Sequence, residues 1–304
     1  MNQMPTTDTS DRQPTPTTGH VIVGVDGSST SNLAVDIASD EAACRDTTLE
    51  ILHALEWVEL ASADDRFGRE LRANAQKTAD DAAQRARARH PELDVVVSVE
   101  LANAIDLLED ASDRAALLVV GSRGFGGFKG LLMGSVSLPV ASVARCPLLV
   151  VHPDHVAVPE GEAPPIVVGV SDDDCVPALE AAFAQAHARG LPLHAVHTWS
   201  YPVMVAAAVP AAPALWSVED WEKTARSVLS AAVAPLRAKY PDVAVTEMVV
   251  LDTPAHTLVD KSADAAMVVL AAHRRTARFG RNLGRVTHTV LHHSKAPVLL
   301  VPIA

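Results

Sequence analysis

Residues 121 to 137 read Gly121-Ser122-Arg123-Gly124-Phe-Gly-Gly-Phe-Lys-Gly-Leu-Leu-Met-Gly134-Ser135-Val136-Ser137, directly after the apolar run Leu117-Leu-Val-Val120. Glycines at the carboxyl end of a strand let backbone N–H groups turn toward one point and approach an anion closely. A helix expected to begin near Ser135 would add the positive end of its dipole. The hydroxyls of Ser135 and Ser137 can donate hydrogen bonds, and Arg123 and Lys129 bring positive charge. Such a set suits a phosphate. It is not a Walker A loop, because no Gly-Lys-Ser/Thr occurs, and the Gly-x-Gly-x-x-Gly fingerprint fails because position 129 is Lys. Taken alone, a glycine-rich stretch is more often a flexible connection than a ligand site, so its place in the fold must decide. A second candidate is Asp26, which follows the apolar run Val21–Val25 and opens Asp-Gly-Ser. Its bland role is that of a turn or helix-capping residue.

The elements that position these residues alternate. Residues 20–25 form a short apolar strand, and Asn32–Arg45 carries a helical pattern with Leu33, Ile37 and Ala38 on one side. Leu49–His53, Asp94–Val99, Ala116–Val120 and Leu148–Val151 read as further strands. Between them, Arg69–His90, Ala102–Asp110 and Ser135–Ala144 read as helices. Strand and helix in alternation imply parallel strands joined by right-handed crossovers. Runs such as Leu-Leu-Val-Val at 117–120, apolar on both faces, suit central strands covered by helices on each side.

The order then begins again. Ile166-Val-Val-Gly-Val170 repeats Val21-Ile-Val-Gly-Val25, and Ala296-Pro-Val-Leu-Leu-Val301 repeats Cys146-Pro-Leu-Leu-Val-Val151. Pro147 and Pro297, like Gly134 and Gly284, are 150 positions apart. A repeat of that length is a whole domain. The expected organisation is a disordered tail over 1–19, a first domain over 20–151, a Pro-rich linker over 152–165 and a second domain over 166–304.

Gly-x-x-Gly, nine residues, then Gly-Ser is also the loop pattern of the ATP-binding universal stress proteins. The chain resembles that family over essentially residues 20–304. The resemblance includes the Val-Gly-Val-Asp-Gly-Ser opening, His53-Ala54 at the end of strand two, and the Cys-Pro before strand five. It implies two tandem doubly wound α/β sheets of five parallel strands in the order 3-2-1-4-5, the adenine nucleotide alpha-hydrolase-like fold. Strands one and four then meet at the switch point where open sheets take ligands. It further implies ATP with magnesium in the first domain, held by Val25, Asp26, Ala54, Gly121, Ser122, Arg123, Gly124, Gly134, Ser135, Val136 and Ser137. Asp26 would lie on the ribose side and the Ala54 backbone would read adenine. Single-domain relatives pair through strand five, so Leu148–Val151 and Val298–Val301 are expected to form an internal pseudo-dimer, with further homodimerisation left open. A role as a nucleotide-dependent regulator of stress adaptation, with an unknown protein partner, comes from the resemblance alone.

The second copy departs from the pattern. Gly121, Gly124 and Ser135 become Ala271, Arg274 and Arg285, Gly134 is kept as Gly284, and Asp26 becomes Ser171. A Cβ at 271 and a long side chain at 274 would fill the phosphate space, and Arg274 lacks the freedom of glycine at positive φ. Three readings remain: a degenerate site, a different anion held by the arginines, or arginines paired with Asp172–Asp174, which would make the site self-filled. A solvated basic loop is the plain alternative. His288 and His292 lie four apart on a helix, a metal-ligand spacing that ordinary surface histidines share. The apolar connection 201–215 fits a lid, a partner surface or packing against the sister domain.

Composition narrows the function classes. With 37 Asp+Glu against 25 Lys+Arg, a formal charge of −12 opposes sequence-independent binding to nucleic acid or anionic lipid. The three cysteines show no metal or disulfide spacing, and with no apolar leader or bilayer-length segment they suggest a cytoplasmic location. No residue is placed as a base or nucleophile for phosphoryl transfer, so at most slow ATP hydrolysis is expected. The rival readings are a hydrolase or nucleotidyl-transfer enzyme on the same scaffold, a cyclic-AMP-binding module, and a structural protein with both sites empty.

Overall fold

The computed structural model describes residues 19–56, 66–124, 133–153, 163–171, 175–200, 218–273, 275–277 and 280–303. The first half runs β1 (His20–Gly24), α1 (Ser29–Cys44), β2 (Leu49–Ala54), α2 (Arg66–Arg89), β3 (Val95–Glu100), α3 (Ala104–Ala111), β4 (Ala115–Gly121), α4 (Ser137–Val143) and β5 (Leu148–Val151). The second half runs β6 (Ile166–Val170), α5 (Val176–Arg189), β7 (Leu193–Trp199), α6 (Val218–Lys239), β8 (Val245–Leu251), α7 (Pro254–Lys261) and β9 (Met267–His273). It closes with β10 (Arg275–Ala277), β11 (Gly280–Asn282), α8 (Arg285–His293) and β12 (Val298–Ile303).

Each half contains five parallel strands, the first in the order 3-2-1-4-5, and the two sets join edge to edge in one sheet ordered β3-β2-β1-β4-β5-β12-β9-β6-β7-β8. The join is the sheet's antiparallel pairing: Val298 faces Val150, Leu299 faces Leu149 and Leu300 faces Leu148. These six side chains are at most 2 % exposed, so two edges that would each present unpaired backbone are covered by one another. Both faces of the central strands are dry. Val21, Ile22 and Val23 are wholly buried on successive sides, as are Val167 and Val168 in β6, which explains their unbroken apolar runs.

Helices cover the faces with small residues. In α2 the stripe Ala75, Ala79, Ala82, Ala83 and Ala86 is buried at helical spacing, which lets the helix lie close to the sheet. Its arginines reach across to α1, where Arg85 forks onto Asp36 and Arg89 onto Asp40 at 2.6–2.7 Å. The halves also meet through α1 and α5. Glu41 of α1, 1 % exposed, accepts from Gln185 of α5 at 3.0 Å and pairs with Arg189 of α5 and with Arg45, which follows α1. Burial, with Arg189 beside it, pushes the Arg45 guanidinium down to about 10, which leaves it charged at neutral pH. On the seam itself, buried His152 donates from Nε2 to the carbonyl of Leu291 at 2.8 Å.

Two local differences from the sequence reading bear on the site. The helix expected from Ser135 starts at Ser137, and Ser135 and Val136 form a turn before it. In the second half the arginine-rich stretch is a two-stranded antiparallel ladder, Arg275 facing Asn282 and Ala277 facing Gly280. The tail 1–18, most of the linker, the apolar connection 201–215, Lys129, Arg274 and Asp172–Asp174 lie outside the described residues. The self-filled second site therefore has no structural account.

Candidate functional site

β1 pairs with β2 on one side and β4 on the other, and a cleft of about 570 Å³ opens at their carboxyl ends. Val25, Asp26, Ala54, Gly121, Arg123, Gly124, Gly134, Ser135, Val136 and Ser137 all line it. Ser122 does not. Its side chain is fully buried, and its Oγ has no hydrogen-bond partner among the described residues.

The floor of the cleft is the start of α1. Gly27 takes φ of +85°, a conformation that glycine adopts without strain, and turns the chain from β1 into the helix. Ser28 caps the helix by accepting from the N–H of Ser31 at 3.2 Å, and its own hydroxyl donates to the carbonyl of Arg123 at 3.4 Å. Oγ of Ser31 accepts from the N–H groups of Asp26 and Gly27, both at 3.3 Å. Oδ1 of Asp26 accepts from the N–H of Ser28 at 2.9 Å, so the turn role expected of this aspartate is real. Its Oδ2 faces the second loop.

That contact explains Gly124. A Cβ built at this position would stand 2.3 Å from Oδ2 of Asp26. The expectation that Gly124 serves a left-handed backbone is corrected: among the described residues the glycines at positive φ are Gly27 and Gly190. Gly121 is needed for close packing, since a Cβ there would lie 3.1 Å from the backbone of Thr30 and Ser31. The loop is then closed by one carbonyl: Ser122 O accepts from the N–H of Gly134 at 2.7 Å and from Oγ of Ser137 at 2.9 Å. Ser137, expected to present its hydroxyl to an anion, therefore serves as a latch between the two ends of the loop. With α4 only seven residues long, an anion placed here would meet backbone N–H groups and Arg123 more than a helix dipole.

The apolar wall escaped the sequence reading. Ala104, Leu107 and Leu108 from α3 line the cleft at spacings of three and four, together with Leu52, Met133 and the His53 ring. The helical period of α3 and the position of His53 at a strand end were the available signals. His53 donates from Nδ1 to the carbonyl of Val25 at 2.7 Å, and His197 does the same to Val170 at 2.9 Å.

In the second half the same framework holds a different surface. The helix start is altered: α1 begins at Ser29, whose counterpart is residue 174, whereas α5 begins at Val176 with no side-chain cap on Cys175. Val176, 57 % exposed, stands where Ser31 is buried. Ala271 replaces Gly121 and Arg285 is an exposed first-turn residue of α8, capped only by Gly284. On α8 the rings of His288 and His292 lie 4.4 Å apart, and no group of three or more His, Cys, Asp or Glu among the described residues is arranged to hold a metal. Burial and the neighbouring imidazoles push His292 below its usual value. No described helix is long and apolar enough to cross a membrane.

A doubly wound α/β unit present twice in one chain, with a glycine loop at the β1–β4 switch point of the first copy, defines a class of tandem nucleotide-fold proteins. Residues 17–152 and 163–302 each match the family described as "Universal stress protein family", and the chain belongs to that family as a tandem-domain member. Universal stress protein Rv2005c of Mycobacterium tuberculosis is 32 % identical over 292 residues, covering 92 % of this chain and 96 % of that protein. Universal stress protein Rv2623 of the same organism is 32 % identical over 295 residues, covering 92 % and 95 %. The crystal structure of a universal stress protein from Archaeoglobus fulgidus superposes with a TM-score of 0.68 at 18 % identity, covering 94 % of this chain and 99 % of that one, a likeness of fold.

Proposed function

We propose that the chain is a nucleotide-dependent regulator that binds ATP with magnesium in its first half only and does not turn it over at enzyme-like rates. The observation that carries this is the meeting of the glycine segment's two ends, Gly121–Gly124 and Gly134–Ser137, beside the cleft, where the glycine at 124 leaves room for the Asp26 carboxylate. The donor set fits a polyphosphate: backbone N–H groups around Gly124 and Ser135, the Ser135 hydroxyl and Arg123. Asp26 supplies an acceptor on the nucleoside side, and Leu107, Leu108 and Met133 offer apolar surface to a base. ATP itself would supply the charge and metal affinity of its phosphates. In the second half Ser171, Ala271 and Arg285 remove the carboxylate, narrow the loop and replace the serine. The regulatory output, a change of conformation or partner affinity, follows the family's stress role.

The test is to denature gently purified protein, identify any released nucleotide by mass spectrometry, and titrate the emptied chain with ATP and with cyclic AMP by calorimetry. Intact ATP at one equivalent per chain is expected. Two equivalent sites, or preference for cyclic AMP, would overturn the domain assignment or the ligand assignment respectively. Steady ATP consumption at enzyme-like rates would favour a hydrolase on this scaffold.

A further inference from the structure

His53 lies between two groups already assigned to the cleft, Val25 and Ala54, and its ring borders the cavity. A carbonyl oxygen can only accept, so the 2.7 Å contact with Val25 O requires the proton on Nδ1. In the neutral ring Nε2 is then an acceptor with its lone pair uncommitted. No protein group partners Nε2 among the described residues, and it is not among the buried polar atoms that lack a partner. It is therefore open to a ligand.

The second half supplies the comparison. His197 makes the same bond to Val170, so the Nδ1 contact belongs to the fold and persists where the glycine loop is lost. What differs is burial: His197 is 6 % exposed, whereas His53 is only half-buried and faces the cleft. Phosphates offer only acceptors, and the loop provides donors for them. A nucleoside also offers donors, its ribose hydroxyls and any exocyclic amine, and these need acceptors on the wall. Asp26 is one.

The geometry points to His53 as a specificity-determining residue that accepts at Nε2 a hydrogen bond from a donor of the bound nucleoside, either a ribose hydroxyl or the base amine. This rests on the first-half cleft being a nucleotide site. The bond to Val25 fixes the tautomer, so the ring presents an acceptor and discriminates against nucleosides lacking the matching donor.

Asn and Gln separate the two nitrogens. His53→Asn places an amide N–H near the Nδ1 position, keeping donation to Val25, and leaves nothing at Nε2. His53→Gln carries an amide oxygen to the Nε2 position and gives up the Val25 bond. Full-length wild type, both variants and His197→Asn are titrated calorimetrically with ATP, 2′-deoxy-ATP, 3′-deoxy-ATP and ITP, alongside thermal melts. His53→Asn should melt like wild type and bind ATP about tenfold more weakly, the effect of one lost hydrogen bond. That deficit should vanish for the one analogue lacking the donor: a deoxynucleotide identifies the hydroxyl, ITP identifies the amine. His53→Gln should recover part of the affinity, and His197→Asn should leave binding unchanged. Equal binding of all four nucleotides by wild type and His53→Asn overturns the inference while leaving the nucleotide reading intact. So does an equal loss for all four, which would make His53 a positioning residue. Failure of wild type to bind any of them overturns both.

Discussion

Replacing Gly124 with alanine tests the site through a single added carbon. The new Cβ would meet Oδ2 of Asp26 at 2.3 Å, where real Cβ contacts essentially never fall below 3.0 Å, so something must move by at least the difference. The Asp26 side chain is short, and Oδ1 is tied to the N–H of Ser28 at 2.9 Å. Turning the carboxylate away breaks that bond, at a cost of about 0.5–1.5 kcal/mol in stability, so the fold should survive. The same rotation withdraws the acceptor from the cleft, and hydrogen bonds to a charged group contribute about 1.5–3 kcal/mol, or roughly ten- to a hundredfold in ATP affinity. Gly124→Arg, which copies the second half, should abolish binding by also filling the cavity. The assay is a calorimetric cycle of wild type, Gly124→Ala, Asp26→Ser and the double variant, with melts to check folding. Because both single changes act on one carboxylate, their effects should not add. Wild-type ATP affinity in a folded Gly124→Ala, or full additivity in the cycle, would refute the steric coupling of these two residues.

Three further outcomes are expected. Glu41→Ala leaves Arg45 and Arg189 without their shared buried carboxylate; since each arginine side chain keeps about a third of its surface in solvent, the loss should be about 1–2 kcal/mol in denaturant melts, below that of a fully buried pair, and a loss under about 0.5 kcal/mol would show that the interface does not depend on it. Ser137→Ala removes one of the two bonds that close the loop on Ser122, and ATP should bind several-fold more weakly with little change in melting; a large drop in melting temperature instead would make Ser137 a core residue first. His292 has a folded pKa below its unfolded value near 6.5, so the unfolded chain takes up the proton first and stability falls as pH drops through that value toward the folded one. His292→Gln should flatten the stability profile between about pH 7 and 5, and an unchanged slope would place the sensitivity elsewhere.

The fold was legible because its strands are apolar on both faces: Val21–Val23 and Val167–Val168 can only be central, and the 150-residue offset carried the first half's reading onto the second. The glycine loop was legible as a pattern, but the reasons for its glycines were not. Gly124 answers to Asp26, nearly a hundred positions away, and no local rule of backbone preference contains that distance. Ser137 looked like a ligand donor because a hydroxyl beside a glycine loop usually has two uses, and only the position of Ser122 O decides between them. Glu41 was unreadable for a related reason: a glutamate on an amphipathic helix is normally solvated, and its burial follows from where α5 of the other half comes to rest.

The antiparallel seam between β5 and β12 also settles who meets whom. When two identical subunits share such an edge, association depends on concentration, and a variant subunit must compete with its parent for partners. Here the chain itself holds Leu149 opposite Leu299, so the encounter is intramolecular and every molecule contains one of each half. A mutation in one half is thus always presented beside an unmutated neighbour, never as a statistical mixture of pairings. Under that constraint Asp26 and Gly124 can stay while their counterparts drift to Ser171 and Arg274, and the whole population still carries a uniform asymmetry. A fixed one-to-one ratio of unlike surfaces is a composition that a symmetric homodimer cannot encode.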